Sequence, residues 1–236
     1  MTCHAGPDTV ESGLVLSLDA GNIKSYPGSG TTWIDLSENK TTGTLTGGPT
    51  FSIANGKTIV FDALDDYVEF GNPSSLNFGT GDFTVEVWAT RYSNATTNLR
   101  VFSKGAGADV LSEAGFCLFG SNTTLVFTIN HSAGTPRVEP AGIPITVGVP
   151  FCITCVLERS TTARTFKNGV FNSSIAAPAG SVTGAATFVV GCNGTAAGTR
   201  NVFWNGEISN IKIYNRALTN TEVSQNFNAL RGRFGL

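Results

Sequence analysis

Asp82-Phe83-Thr84-Val85-Glu86-Val87-Trp88 is the stretch whose pattern decides the fold. Aromatic and β-branched residues dominate it, and such side chains suit a pleated, half-buried surface. Successive side chains of a strand point to opposite faces. Phe83, Val85 and Val87 therefore share one face, and Thr84, Glu86 and Trp88 share the other. Which of the two meets the core is left open by the sequence. Working outward, the same short apolar pattern predicts strands over 14–19, 33–36, 57–61, 67–70, 99–103, 116–119, 125–130, 151–158, 164–167, 170–172, 188–191 and 207–214. Gly, Asn, Pro and Ser separate these runs, which is the signature of a sandwich or barrel. Asn168-Gly169 suits a type I′ hairpin, in which both central residues need positive φ.

One helix is predicted near the end. Thr219 followed by Glu222 forms a capping box, and Leu218 ahead of the cap faces Val223 as a hydrophobic staple. Val223, Phe227 and Leu230 then line one apolar stripe. No internal repeat or interdomain linker interrupts the chain. We expect an N-terminal arm over 1–12 and one domain over 13–236.

Composition narrows the function. Charged residues make up 14% of the chain, against about 25% in an average domain. The surface is thus one of hydroxyls, amides and turns. Net charge is −2, with 15 Lys and Arg spread along the chain, so no basic face is expected for displacing counterions from nucleic acid. No apolar run is long enough to span a bilayer, and no membrane partner is expected. Met1 to Pro7 carries no basic or apolar region of a secretory signal. Cys3, Cys117, Cys152, Cys155 and Cys192 are odd in number and irregular in spacing, not a disulfide framework. Cys152 and Cys155 have CxxC spacing, but three residues apart in a strand they point to opposite faces and share no zinc.

Several segments in order carry a resemblance. Gly13-Leu14-Val15-Leu16-Ser17-Leu18-Asp19-Ala20, Val60-Phe61-Asp62-Ala63-Leu64-Asp65-Asp66-Tyr67-Val68, Phe102-Ser103-Lys104-Gly105 and Lys167-Asn168-Gly169-Val170 are its main pieces. Gly206-Glu207-Ile208 and Ile213-Tyr214-Asn215-Arg216-Ala217-Leu218 complete them. Together they resemble the laminin G-like, concanavalin A-like jelly roll. The resemblance implies an all-β, two-sheet antiparallel jelly-roll sandwich with one short C-terminal helix. One departure is Ala63, where the family usually has Gly. Ala is strained at positive φ, so we expect a locally different turn. The segments 18–22, 25–33 and 35–37, with the ending 226–234, are also similar to laminin G-like proteins of tailed bacteriophages, marine ones especially. That likeness implies a place on the virion, with the major capsid protein or other virion proteins as partners.

Candidate sites follow, each with two readings. Asp62, Asp65, Asp66 and Glu69 are either calcium ligands, since calcium takes six to eight oxygens, or turn-formers that bond the local backbone; no other cofactor or metal is expected. Trp33, Trp88, Trp204, Tyr26 and Tyr67 either stack on sugar rings or fill the core. Trp204 with Asn205, and Tyr26, are the best candidates for ligand binding. Arg231, Arg233, Phe234 and Leu236 are candidates for anchoring the protein to a partner, because both chain ends look poorly tied to the sandwich. Catalysis has little behind it. No glutamate has an aspartate two residues later, the pattern of glucanases on this fold. His4 and His131, the two histidines, sit in an expected tail and loop. Asn94, Asn122 and Asn193 fit the N-glycosylation pattern by chance in a Thr- and Asn-rich chain. The expected function is a non-enzymatic virion protein decorating a capsid. The rival is a lectin-like tail or fibre module holding host glycan. A homo-oligomer is compatible with either.

Overall fold

The chain is built as two antiparallel sheets, seen in a computed structural model that describes residues 7–93, 98–105, 113–132, 137–159 and 161–236. Cys3, His4, Asn94 and residues 1–6 of the expected arm lie outside these. In chain order the first strands are β1 (Leu14–Asp19), β2 (Thr32–Ile34), β3 (Thr42–Thr46), β4 (Thr50–Ser52), β5 (Thr58–Asp62) and β6 (Tyr67–Glu69). Next come β7 (Phe83–Arg91), β8 (Leu99–Lys104), β9 (Gly115–Gly120), β10 (Thr124–Asn130), β11 (Ile143–Pro144) and β12 (Phe151–Glu158). The last are β13 (Thr162–Lys167), β14 (Val170–Ala176), β15 (Phe188–Val190), β16 (Asn193–Gly194), β17 (Arg200–Asn201) and β18 (Asn205–Tyr214). The first sheet runs β14-β13-β12-β7-β18-β5-β4, with β1 also pairing β18. The second runs β11-β10-β9-β8-β15-β6-β3-β2. Strands β16 and β17 form a separate ribbon. Among the described residues the one α-helix is α1 (Asn220–Leu230), continued by a 3₁₀ turn over Arg231–Phe234.

The core lies between the sheets. Leu16, Leu18, Phe61, Phe83, Val85 and Val87 face Trp33, Phe102, Phe116, Phe127 and Phe188 there. Phe83 stacks on Phe78 at 4.7 Å and tilts against Phe116 at 4.8 Å. The face of β7 left open by the sequence is thereby settled, since Phe83, Val85 and Val87 point inward. Yet all nine residues of β7 are buried. The opposite face is covered by the C-terminal segment. Trp88 stacks on Phe227 at 5.5 Å and on Phe234 at 4.3 Å. Cys152 joins this outer cluster while Cys155 sits in the main core, so the CxxC thiols do face opposite ways. Cys117, Cys152, Cys155 and Cys192 are free and buried. Burial pushes the Cys117 and Cys192 thiols up to about 12, and those of Cys152 and Cys155 well above the ordinary value.

Beside Trp88 on the outer face, Glu86 stands opposite Lys212 of β18. Both are buried. The Glu86 carboxylate accepts from Asn226 Nδ2 at 3.2 Å, and the same amide nitrogen donates to the Tyr214 hydroxyl at 3.0 Å. Asn226 Oδ1 accepts from Val10 N at 2.8 Å, while the Tyr214 hydroxyl donates to Val10 O at 3.0 Å. Desolvation pushes the Glu86 carboxyl up and the Lys212 ammonium down, and each opposes the other's shift through its charge.

These contacts correct the expectation of loosely tied ends. Val10 is buried against Phe166, Tyr214 and Val223. Phe234 is buried against Trp88, and Arg233 Nη1 pairs with Asp19 at 2.7 Å. Arg231 alone of the expected anchors is exposed. The sequence missed this because Trp88, the surface these residues cover, lies more than a hundred positions away.

Local signals hold. Thr219 and Glu222 form the capping box, and Leu218 and Val223 pack together. Asn168 and Gly169 take φ of 51° and 74°. Ala63 overturns an expectation: it takes φ of 71°, so the turn keeps the left-handed geometry in spite of its side chain. The tight path from β5 to β6 leaves it no alternative, because Asp66 Oδ2 binds Asp62 N across the turn at 3.0 Å.

Two stability outcomes are expected in urea titrations. Ala63→Gly should gain about 1 kcal/mol by relieving left-handed strain. Phe234→Ala should lose about 3 kcal/mol, as large-to-small changes in aromatic clusters do; a loss under about 0.5 kcal/mol would mean that the C-terminal turn does not seal Trp88.

Candidate functional site

Trp204 and Tyr26, the expected ligand-binding aromatics, are both core residues. Trp204 has no exposed surface, and its backbone N donates to Gly191 O at 2.7 Å. The Arg91 guanidinium stacks on its ring, 5.1 Å from the centroid. Polar neighbours in sequence made it look exposed, but a strand start that enters the sandwich turns it inward. Asn205 is half-buried and donates from Nδ2 to Ser93 O at 3.3 Å, a contact that ties β18 to the end of β7. The Tyr26 ring packs on Phe51 at 5.6 Å and its hydroxyl donates to Gly30 O at 3.0 Å. Asn193, one of the glycosylation-like positions, is buried.

The outer face of the second sheet offers a different surface. In β3 the burial alternates strictly, with Thr42, Thr44 and Thr46 exposed and Leu45 inward. Thr32 and Ile34 of β2 are exposed beside them, in register with Thr44 and Thr42. On the other side Thr44 pairs with Glu69, and Thr46 with Tyr67. Side chains directly opposite on one face of an antiparallel pair lie ~4.5–5.5 Å apart at Cβ, so these groups form a continuous plain. Its wall is the β16–β17 ribbon. Arg200 Nη2 pairs with Glu69 Oε1 at 2.9 Å and also donates to Thr187 Oγ1 at 2.9 Å. Its guanidinium lies over the Tyr67 ring, 5.7 Å from the centroid, and Phe203 packs on that ring at 6.4 Å. Hydroxyls, a carboxylate, a guanidinium and an aromatic ring thus converge. The period-2 run Thr42-Gly43-Thr44-Leu45-Thr46 was the signal for this surface, weakened by having Gly where an apolar residue would mark the inner face.

A polar cleft of about 530 Å³ lies elsewhere, lined by Glu11, Ser37, Glu38, Asn39 and Asn215. No aromatic side chain lines it, so it offers hydrogen bonds without a platform for a sugar ring.

Of the four acidic residues weighed as calcium ligands or turn-formers, Asp62, Asp65 and Asp66 converge, their carboxylate oxygens lying within 4.8 Å of one another. Glu69 leaves the group for Arg200, because in β6 it points to the outer face. Asp62 Oδ1 accepts from Leu64 N at 2.8 Å, and Asp66 Oδ2 from Asp62 N. These carboxylates act as turn-formers. Burial, reinforced by the charges of Asp62 and Asp65, pushes the Asp66 carboxyl up to about 6. An acid raised above its unfolded value of ~3.9 is ionised at a cost to the fold. That cost is absent below the unfolded value and complete once the pH passes the folded one. Stability should therefore fall as pH rises through this window. Asp66→Asn keeps an acceptor for Asp62 N and removes the charge. It should flatten the decline and raise Tm near neutral pH; an unchanged pH slope would rule out Asp66 as its source.

Comparison with known proteins agrees with this architecture. A search of curated proteins finds no match. The chain is similar in structure to the binding domain of Paraclostridial Mosquitocidal Protein 1, at 19% identity and TM-score 0.69, over 92% of this chain and 52% of that one. It is similar to the Botulinum Neurotoxin Type G receptor binding domain, at 14% identity and TM-score 0.67, over 92% and 51%. The binding domain of Botulinum Neurotoxin DC in complex with SialylT matches at 14% identity and TM-score 0.71, over 93% and 52%. The chain thus spans about half the length of these domains, and at such identities the likeness speaks for the fold. The family profile covers residues 61–224, most of the chain, and this protein belongs to the concanavalin A-like lectin/glucanase superfamily.

Proposed function

We propose that the protein is a non-enzymatic, lectin-like attachment module that holds glycan on the outer face of its second sheet. The observation that carries this is the plain of Thr32, Thr42, Thr44 and Thr46 bounded by Tyr67, Glu69 and Arg200. Sugars present alternating hydroxyls and apolar C–H faces, and this surface supplies acceptors, donors and one half-buried ring at matching scale. Aromatic rings with a polar rim suit such contacts. The likeness to these binding domains, one of them solved in complex with SialylT, supports the reading at the level of fold, and fold alone does not fix function.

The likeness of the chain's ends to phage proteins further supports a place on a virion, where the same module would decorate the capsid or sit on a tail or fibre.

Two measurements test these readings. On a glycan array, binding by the wild type should fall at least tenfold in Thr44→Arg and Thr46→Arg, which block the plain through exposed positions and leave the core intact. Silence of the wild type, with and without calcium, would refute glycan binding. Quantitative mass spectrometry of purified particles should count this chain in hundreds for a decoration or in a handful for a tail component; its absence would refute the virion placement.

A further inference from the structure

We infer that two neighbouring loops, residues 22–28 and 51–57, form a tip that docks onto an anionic lipid surface. Ile53 and Ile23, at 82% and 77% exposure, are the most exposed large apolar side chains among the described residues. They belong to separate segments, yet both line one pocket with Tyr26 and Phe51 at its base. Its volume is about 140 Å³, well below the ~300–1,000 Å³ of small-molecule sites. Two isoleucines standing almost free around a shallow apolar hollow suit a soft apolar layer better than a discrete ligand.

Charge gives the second half of the match. Lys24 follows Ile23 and is exposed, and exposed Lys57 lines the pocket. None of the lining residues is acidic. The nearby Asp19 is neutralised by Arg233. Apolar side chains flanked by cations are the pattern of a surface that lies at a headgroup boundary, where anionic lipid adds to apolar burial.

The tip is also held rigid. Arg233 donates from Nε to Gly56 O and from Nη2 to Lys57 O, and through Nη1 it holds Asp19. One side chain therefore ties the 51–57 loop to Asp19, at the end of β1 just ahead of the other loop. No large ordering cost opposes docking, since both isoleucines already line the one hollow. Such docking needs no membrane-crossing helix, and among the described residues no helix is long and apolar enough to be one.

The test uses the full chain and glycan-free vesicles, so its outcome is independent of the glycan reading. Flotation is measured with vesicles of phosphatidylcholine alone and with 30% phosphatidylserine (~30 mol %, enough for a strong negative surface potential). We expect binding to the anionic vesicles, weakened by high salt. The double variant Ile23→Ser/Ile53→Ser should lower partitioning at least tenfold, and each of Lys24→Gln and Lys57→Gln about fivefold. All four positions are exposed, so thermal melting should stay at the wild-type value and exclude misfolding as the cause. Absence of wild-type flotation, or flotation indifferent to the isoleucine changes, would overturn the proposal. A dimer in sedimentation velocity that the double isoleucine variant dissolves would assign the tip to a second copy of this chain, and would equally overturn it.

Discussion

A sheet normally leaves one face to water, and here the burial of Glu86, Trp88 and Lys212 on that face makes the C-terminal segment indispensable. Removing a charge from water costs several kcal/mol unless partners replace the solvent. Residues 220–236 and Val10 supply much of what replaces it. Asn226 reaches the Glu86 carboxylate from the helix, Tyr214 relays to the backbone of Val10, and Phe227 and Phe234 close over the indole. The two chain ends thereby meet over one strand. A truncation at the C-terminal end would take the Asn226 amide from Glu86 and the two rings from Trp88, and would let water in to Glu86 and Lys212.

Arg233 extends this closure along the same outer face of the sheet, toward β1 and β5. Its guanidinium reaches Asp19 at the end of β1 and the carbonyls ahead of β5. The guanidinium lies against Gly21, where an added Cβ would stand 2.2 Å from Arg233 Nη2 and displace it. The final residues are thus a fastening for loops far earlier in the chain. The apolar tip and the buried charge pair share one structural support, although they differ in character.

The strong periodic signals were legible in the sequence. Strand β7, the Asn-Gly hairpin and the capped helix rest on contacts within a few residues, where spacing alone carries the information. The short strands β3 and β4 were not legible, because each carries a single large inward-suited residue, Leu45 or Phe51, too few to establish an alternation. The candidate site suffered from the same limit. Trp204 looked exposed beside Asn201 and Asn205, but its burial is decided by Arg91 and Gly191, distant in sequence. Glu69 looked like one of four acids in a turn, and only the pleat of β6 sends it to the opposite surface and to Arg200. Ala63 shows the reverse case: the local rule argued against the turn, and the hydrogen bond from Asp62 N to Asp66 outweighed it.

The four cysteines among the described residues are, by their burial, indifferent to redox conditions. A thiol reacts as its thiolate, and burial holds all four protonated far beyond neutral pH. None of the four is paired with another, so the described sandwich holds no disulfide for a reductant to break. Cys152 lies beneath the C-terminal cover and Cys155 in the main core, on opposite faces of one strand. Alkylation of the first would thus report the lifting of that cover, and alkylation of the second the parting of the sheets.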